Sequence, residues 1–228
     1  MSGTIGITAN ENGRYTVFTA SLAGLARPEG VALRWGMGSD TIANRNEIVR
    51  AALEGEWLWF MDDDHAFAPD ILLRLLAHER EDAVIVPLCL KRQQPFIPCA
   101  FSARGGDDLY PIDLARLPSG GLVPVYAAGT AGMLIPCGLL EEIPEPWFEH
   151  DPIGEDVLFC EKVRETGAQI LCDLETPLGH LTTAAVWPSF ADGRWNVGFN
   201  VADGFSLICP LAEPQVNGRP SLVLPHGY

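Results

Sequence analysis

The chain has 228 residues, of which 47% are hydrophobic and 20% are charged, and these values are typical of a folded globular protein rather than a disordered one. Its formal net charge of −15 at pH 7 repels nucleic acids and anionic membranes at long range, which disfavours both as partners. Because this length suits one domain, we expect a single unit over residues 1–228, with its core at 3–180 and an extension at 181–228.

The cysteines and the apolar segments favour a cytoplasmic location. The six cysteines form no Cys-x-x-Cys pair and no zinc-type spacing, so we expect free thiols in a reducing compartment. No apolar run reaches the ~18 residues that a transmembrane helix needs. The N-terminus also lacks the basic and apolar pattern of a signal peptide.

Strand and helix patterns alternate through the first 90 residues. In chain order they are a strand at 3–8, a segment at 15–25 that suits a helix despite its β-branched residues, a strand at 31–35, a helix at 42–53 capped by Asp40 or Thr41, a strand at 57–61, a helix that begins at 68–70, and a strand at 83–88. This alternation is typical of right-handed crossovers. It predicts an α/β fold, with a mostly parallel central sheet flanked by helices.

The second half of the chain is less regular. Its predicted elements are a strand at 123–126, a short helix at 138–143, a helix at 157–166 that ends before Gly167, a strand at 170–172 and a loop at 177–180. Prolines and paired glycines at 91–124 favour hairpins and loops, which would form a small antiparallel portion. Residues 181–228 show no clear period, and we predict no secondary structure for them.

The most informative stretch is the strand at 57–61, which runs directly into Asp62, Asp63 and Asp64. A short, wholly apolar strand is typical of one that is buried on both faces in a parallel sheet. Crowding carboxylates at its end costs energy, which a divalent cation and its phosphates would relieve. Hard cations take oxygen ligands, so Mg²⁺ or Mn²⁺ is the natural candidate. An acidic turn that only caps the next helix is the simpler alternative.

Two further groups of polar residues suggest a site. Glu155 and Asp156 begin a helix, where the helix dipole stabilises ionised carboxylates. From the helix alone, dipole partners are the better interpretation. His180 alone would more often be a loop histidine than a ligand, and His65 would more often lie near such a site than bind its metal.

Four elements stand in a characteristic order: the aspartate triplet, the Gly129-Thr130-Ala131-Gly132 stretch with its apolar continuation, Gly-Glu-Asp at a helix start, and a later Gly-His. In this order the chain resembles nucleotide-sugar glycosyltransferases of the GT-A fold, particularly family 2-like enzymes of the short bacterial or phage type. The resemblance covers roughly residues 3–180. It departs at the end of the first strand, where Thr8-Ala9-Asn10 replaces the usual Pro-Thr-Tyr-Asn.

The resemblance implies a role for each matching residue. Asp62 and Asp64 match the outer acids of the D-x-D motif, which bind the metal and the donor, and His180 matches a histidine that completes the metal shell. Asp156 matches the general base of inverting members, with Glu155 beside it as the second catalytic acid. The remaining matches concern donor binding and comprise Thr8, Asp40, Arg45, Asp63, Lys91, Arg92, Gly129 and Gly132.

The expected activity is therefore metal-dependent transfer of a sugar from a UDP- or GDP-sugar to a hydroxyl acceptor, with Mn²⁺ or Mg²⁺ as cofactor and with inversion. Two alternatives stay open at this point. A nucleotidyltransferase acting on sugar phosphates shares the sheet and the acidic metal site, but it would need a Gly-rich basic loop, for which Gly13-Arg14 is a thin substitute. A non-catalytic glycan-binding module on the same scaffold is the other.

Overall fold

The structure is a computed structural model that describes residues 2–9, 15–92, 95–182, 185–200 and 206–211. Its helices are α1 (Thr16–Ala23), α2 (Thr41–Ala52), α3 (Ile71–Leu76), α4 (Cys137–Glu142) and α5 (Glu155–Glu165), with a short 3₁₀ turn at Leu114–Arg116. Its strands are β1 (Gly3–Ala9), β2 (Ala32–Met37), β3 (Trp57–Asp62), β4 (His65–Ala66), β5 (Ala83–Cys89), β6 (Ala100–Gly105), β7 (Asp108–Pro111), β8 (Leu122–Val125), β9 (Ala127–Ala128), β10 (Leu134–Pro136), β11 (Gln169–Leu181), β12 (Ala185–Ala191), β13 (Arg194–Asn200) and β14 (Ser206–Pro210). The α/β class predicted from the sequence is confirmed.

Within the described residues, the larger sheet has the order β14-β13-β12-β11-β5-β10-β3-β1-β2, and β4 and β8 also pair with β11. Strands β2, β1, β3, β5 and β11 run parallel to one another, whereas β10 is antiparallel and lies between β3 and β5. Strands β7, β6 and β9 form a separate small antiparallel sheet. All five parallel strands therefore end at one edge of the sheet.

Strand β3 lies near the middle of this sheet, and its side chains alternate between two hydrophobic clusters. Leu58 and Phe60 belong to one cluster, whereas Trp57, Trp59 and Met61 belong to the other. Successive strand residues point to opposite faces, so an all-apolar strand can bury both. The apolar run is therefore explained by burial on both faces, and it fixes Asp62 at the end of the strand.

The two helices that border the site begin as the sequence predicts. Asp40 caps α2, because its Oδ1 accepts a hydrogen bond from Ala43 N at 3.0 Å. Helix α5 follows Gly154, whose φ of +130° favours glycine, and it has Glu155 and Asp156 in its first turn. Gly167 has a φ of +90° and follows the end of α5, which is the left-handed position that glycine commonly fills.

Two predictions for the second half need correction. Residues 177–180 are not a loop, because β11 continues through them with a register shift between Asp173 and Pro177. Part of 181–228 is regular, since β12, β13 and β14 extend the larger sheet in antiparallel fashion. The described residues do not include Asn10, Gly13 or Arg14, nor residues 183–184, 201–205 and 212–228 of the C-terminal part. Among those described, no helix is long and apolar enough to cross a bilayer.

Candidate functional site

Polar side chains from distant parts of the chain meet at the carboxyl edge of the parallel strands. Thr8 lies opposite Asp62 in the register of β1 and β3, and Cys89 is the last residue of β5. His180, near the end of β11, pairs with His65 of the short strand β4. Ligands of open α/β sheets bind beyond this edge, so the location agrees with the one predicted from the aspartate triplet.

Asp64 is the residue on which three cationic or ionisable groups converge. Its Oδ1 lies 2.9 Å from His65 Nδ1, and its Oδ2 lies 2.6 Å from Arg92 Nη1 and 3.4 Å from His180 Nε2. Burial raises the pKa of Asp64, but the contacts with His180 and His65 lower it much more. The pKa of this carboxyl is therefore held well below its usual range.

The imidazole rings of His65 and His180 stack on each other, with centroids 4.5 Å apart and an interplanar angle of 22°. His180 Nδ1 lies 3.1 Å from the Leu90 carbonyl oxygen, which fixes the orientation of the ring. Burial lowers the pKa of His180, but its contacts with Asp64 and Cys99 raise it to about 9. This ring is thus placed by β11 and held beside Asp64.

Arg45 connects the aspartates to the start of α5. Its side chain is buried, with Nη1 2.7 Å from Glu155 Oε1 and Nη2 3.6 Å from Asp62 Oδ2. Its guanidinium also lies 5.6 Å from the centre of the Phe148 ring. Burial lowers the pKa of Arg45, but the nearby carboxylates of Asp62, Asp156 and Glu155 more than offset this effect. The pKa is therefore raised overall, and the guanidinium stays charged.

Asp156 faces the same space from α5. A β-carbon built on Gly129 would lie 3.6 Å from Asp156 Oδ2, an ordinary van der Waals distance, so the carboxylate lies beside the backbone of this stretch. The pKa of Asp156 is raised, first by burial and then by the nearby Glu155 and Asp62, whereas Arg45 lowers it. A carboxyl with a raised pKa in a cleft is suited to accept a proton.

Two cavities lie on either side of the aspartates. The first has a volume of about 300 Å³ and is lined by Thr8, Ala9, Gly38, Ser39, Thr41, Arg45 and Asp62 to Asp64. The second has a volume of about 150 Å³, and its lining includes Asp62, Asp64, His65, Cys89, Cys99, Gly129, Thr130, Asp156 and His180. Asp62 and Asp64 therefore line both cavities.

Each cavity is lined by a threonine whose buried hydroxyl is unsatisfied. Thr8 Oγ1 in the first and Thr130 Oγ1 in the second are both buried, and neither has a hydrogen-bond partner among the described residues. An unsatisfied buried hydroxyl costs about 1–3 kcal/mol, which a bound polar molecule would recover.

The donor atoms at this edge fit a divalent cation. One ligand atom from each of Asp62, Asp64 and His65 lies within 4.8 Å of the others. Carboxylate oxygens together with an imidazole nitrogen suit Mn²⁺, and the oxygens alone suit Mg²⁺. His180 Nε2, 3.4 Å from Asp64, offers a second imidazole at the same place. The residues present can therefore hold the predicted cofactor.

The structure brings together most of the residues predicted from the sequence, but three lie elsewhere. Asp40 caps α2, and its neighbours rather than Asp40 itself line the first cavity. Gly132 has a φ of +76° and packs against Pro87 instead of lining either cavity. The side chain of Lys91 is exposed at the surface.

Three residues of this site were not predicted as part of it, namely Cys89, Cys99 and Thr130, whereas His65 was expected near the site rather than as a metal ligand. Cys89 could have been included, because it directly follows the strand predicted at 83–88 and therefore lies at the ligand-binding edge. Thr130 could also have been included, because it lies between Gly129 and Gly132, which are predicted from the sequence to bind the donor. The position of Cys99 depends on pairing between the segments that follow β5, and the position of His65 as a possible ligand depends on pairing between β4 and β11. The sequence reveals neither pairing.

Comparisons with known proteins support the fold. No protein-family model matches the sequence, and no curated protein matches it significantly. Among the solved structures to which the chain is similar is A197 from STIV, with a TM-score of 0.57, 14% identity, and coverage of 98% of this chain and 99% of that one. Another is GalNAc-T7, crystallised with UDP, GalNAc and Mn²⁺, with a TM-score of 0.55, 11% identity, and coverage of 79% of this chain and 44% of that one. The chain thus spans less than half of GalNAc-T7, and at these identities the likeness concerns the fold.

Proposed function

We propose that this chain is a metal-dependent glycosyltransferase, which transfers a sugar from a UDP- or GDP-sugar to a hydroxyl acceptor with inversion. The observation that carries the proposal is the convergence of Asp62, Asp64 and His180 with Asp156 around adjoining cavities at the carboxyl edge of the sheet. The likeness in fold to GalNAc-T7, which was crystallised with UDP, GalNAc and Mn²⁺, supports the same function.

In this proposal Asp62, Asp64 and His180 hold Mn²⁺ or Mg²⁺ at the boundary between the cavities. When bound, such an ion supplies Lewis-acid stabilisation to the diphosphate that leaves the sugar. The first cavity would take the nucleotide, with Thr8 and Asp63 in its wall and the charged Arg45 facing the diphosphate. Arg92, which contacts Asp64, would supply a second positive charge there.

The second cavity would bring the acceptor hydroxyl to Asp156, which we propose as the general base. A carboxylate placed for proton transfer contributes about 10²–10⁴-fold to a rate. Glu155 has a different role in this proposal, because its carboxylate is paired with Arg45 Nη1 at 2.7 Å. It would position the guanidinium rather than accept the proton.

The experiment measures release of UDP or GDP from a panel of UDP- and GDP-sugars, with and without Mn²⁺. We expect Mn²⁺-dependent release from one donor, which Asp64→Ala abolishes and Asp156→Asn reduces by about 10²–10⁴-fold. Asp108→Asn is the matched control, because Asp108 is an exposed aspartate of β7 that lies outside both cavities, and its release should be unchanged.

If Asp64→Ala and Asp156→Asn release UDP or GDP as fast as the wild type, the roles proposed for Asp64 and Asp156 are wrong. Formation of pyrophosphate from a nucleoside triphosphate and a sugar phosphate would instead indicate a nucleotidyltransferase. Binding of glycans without any turnover would indicate a non-catalytic module.

A further inference from the structure

The wall of the second cavity contains sulfur ligands that the proposed transfer does not use. One ligand atom from each of His65, Cys89 and His180 lies within 4.8 Å of the others. Cys99 lines the same cavity, and its backbone N–H is hydrogen-bonded to the Cys89 carbonyl. Two imidazoles and two thiols thus belong to the cavity wall beside Asp64.

We propose that His65, Cys89 and His180, with Cys99 as the fourth ligand, form a binding site for a thiophilic divalent cation, Zn²⁺. Zn²⁺ binds cysteine sulfur and histidine nitrogen in four-coordinate sites, and two of each is a common set. Mg²⁺ and Mn²⁺ prefer oxygen, so they would occupy the aspartates in preference to these residues. The site shares His180 with the proposed Mn²⁺ or Mg²⁺ site, but its thiols in place of the aspartates give it a different metal preference.

The backbone beside His180 orients its ring as a ligand. The Leu90 carbonyl, 3.1 Å from His180 Nδ1, can accept the proton of that nitrogen and leave a lone pair on Nε2. Metal-binding histidines usually have such a carbonyl or carboxylate partner on the other nitrogen, which fixes the tautomer. His65 Nδ1 lies 2.9 Å from Asp64 Oδ1 but has no hydrogen-bond partner among the described residues, so this nitrogen is available to a metal ion.

The backbone also holds these residues in place before any ion binds. His65 and His180 are paired in the register of β4 and β11. Cys99 N donates a hydrogen bond to the Cys89 carbonyl at 2.9 Å, and Leu90 forms a bridge with Pro98. Two pairs of ligands are thus carried by paired backbone segments, which explains why the sequence shows no metal-binding spacing.

The test uses Co²⁺ as a spectroscopic substitute for Zn²⁺ on the whole 228-residue chain, with no sugar donor present. We expect one equivalent of Co²⁺ to produce a thiolate-to-metal charge-transfer band in the near ultraviolet. Added Zn²⁺ should displace the Co²⁺ and remove the band. A Co²⁺ spectrum with only oxygen and nitrogen ligands, or no binding, overturns the proposal. Since no sugar transfer is measured, this result is independent of the proposed enzymatic function.

Substitutions identify which thiols bind. Cys89→Ser should remove most of the band and weaken Zn²⁺ binding by at least about tenfold, because a hydroxyl is a poor replacement for a thiolate. Cys137→Ser, the control, replaces a buried thiol that donates to the Ala52 carbonyl outside the site, and it should leave the band unchanged. Equal losses in both variants, or loss in Cys209→Ser, would overturn the assignment. Circular dichroism checks that each variant is folded. If Cys89→Ser does not fold, the Co²⁺ charge-transfer spectrum of the wild-type protein decides the proposal.

Discussion

Arg45 is a buried positive charge whose neutralisation depends on several carboxylates. Its side chain is 5% exposed, whereas its partners Asp62 and Glu155 are 27% and 28% exposed. Removal of one member of a fully buried pair costs about 3–5 kcal/mol, and these partly exposed partners reduce that figure. Arg45→Met should therefore lower the free energy of unfolding by about 2 kcal/mol, since it leaves the carboxylates without a counter-charge.

Urea unfolding measures this loss, and the chain provides a matched control. Arg50 lies on the same helix and pairs with Glu145, but both side chains are about half exposed. Arg50→Met should cost less than about 1 kcal/mol, because water already screens that pair. Equal costs for the two variants would contradict the view that Arg45 holds the aspartates and α5 together.

The raised pKa of Asp156 predicts how stability depends on pH. Burial is the main cause; Glu155 and Asp62 also raise the pKa, and Arg45 opposes them. A carboxyl whose pKa is higher in the folded than in the unfolded protein binds its proton more tightly when folded, so its ionisation lowers stability as pH rises. Asp156→Asn should therefore be more stable than the wild type at neutral pH, although we expect it to lose transferase activity.

The advantage of Asp156→Asn should shrink as pH falls toward about 4, the ordinary value for aspartate, because Asp156 then becomes protonated in both states of the wild type. Urea unfolding at a series of pH values measures the difference. Exposed Asp108→Asn should show no such trend. A constant difference between Asp156→Asn and wild type at all pH values would contradict the assignment.

At the scale of elements, the loop from β9 to β10 depends on Gly132. Its N–H donates to the Phe60 carbonyl, and its carbonyl accepts from Trp59 Nε1, so the loop is fastened across β3. A β-carbon at Gly132 would lie 2.3 Å from Pro87 Cγ, and the φ of +76° is unfavourable for other residues. Gly132→Ala should cost about 2–5 kcal/mol from strain and overpacking together.

Gly106 separates these two causes. It has a φ of +64°, but a β-carbon there would meet nothing within 4 Å. Gly106→Ala should therefore cost only the backbone term, about 1–2 kcal/mol. Thermal and urea unfolding of the two variants measure the difference, and a cost for Gly132→Ala no larger than that for Gly106→Ala would show that its contact with Pro87 is unimportant.

The elements that could be predicted are those whose signal is local. Strand β3 and helix α2 follow from an apolar run and from the cap at Asp40, which neighbouring residues specify. The antiparallel β10 could not be placed between β3 and β5, because its three residues carry no information about distant partners. Likewise, the proline and glycine at 177–179 suggested a loop, but residues 177–178 pair with β5 and residues 179–180 pair with β4, which keeps β11 extended.

The same distinction applies to the candidate site. The position of the aspartates follows directly from the end of β3, and the resemblance in the order of motifs added Asp156 and His180. The pairing of Arg45 with Glu155 joins residues 110 positions apart, so no local pattern could indicate it. The sulfur ligands meet only because β5, β11 and the segment before β6 come together.

At the scale of the whole molecule, the C-terminal strands share the core of the central sheet. Val186, Trp195 and Val197 are buried in the same hydrophobic cluster as Phe60 of β3. The Phe96 and Phe199 rings also lie 5.1 Å apart, which ties β13 to the segment before β6. We therefore predict that the described chain unfolds as one cooperative unit rather than as a core with an independent extension.

Val197→Ala tests this cooperativity, because Val197 is only 2% exposed in β13. Loss of its methyl groups and the cavity left behind should cost about 2 kcal/mol. If the unit is cooperative, hydrogen exchange should accelerate by the same factor in β3 and in β13, since both amide sets exchange through one global opening. Ile208→Ala is the control, because Ile208 is 57% exposed in β14 and its loss should cost less than about 0.5 kcal/mol. Faster exchange confined to β12–β14 would instead mean that these strands open independently of the core. His180, which pairs with Val186 of β12, would then lie at the boundary of the opening segment.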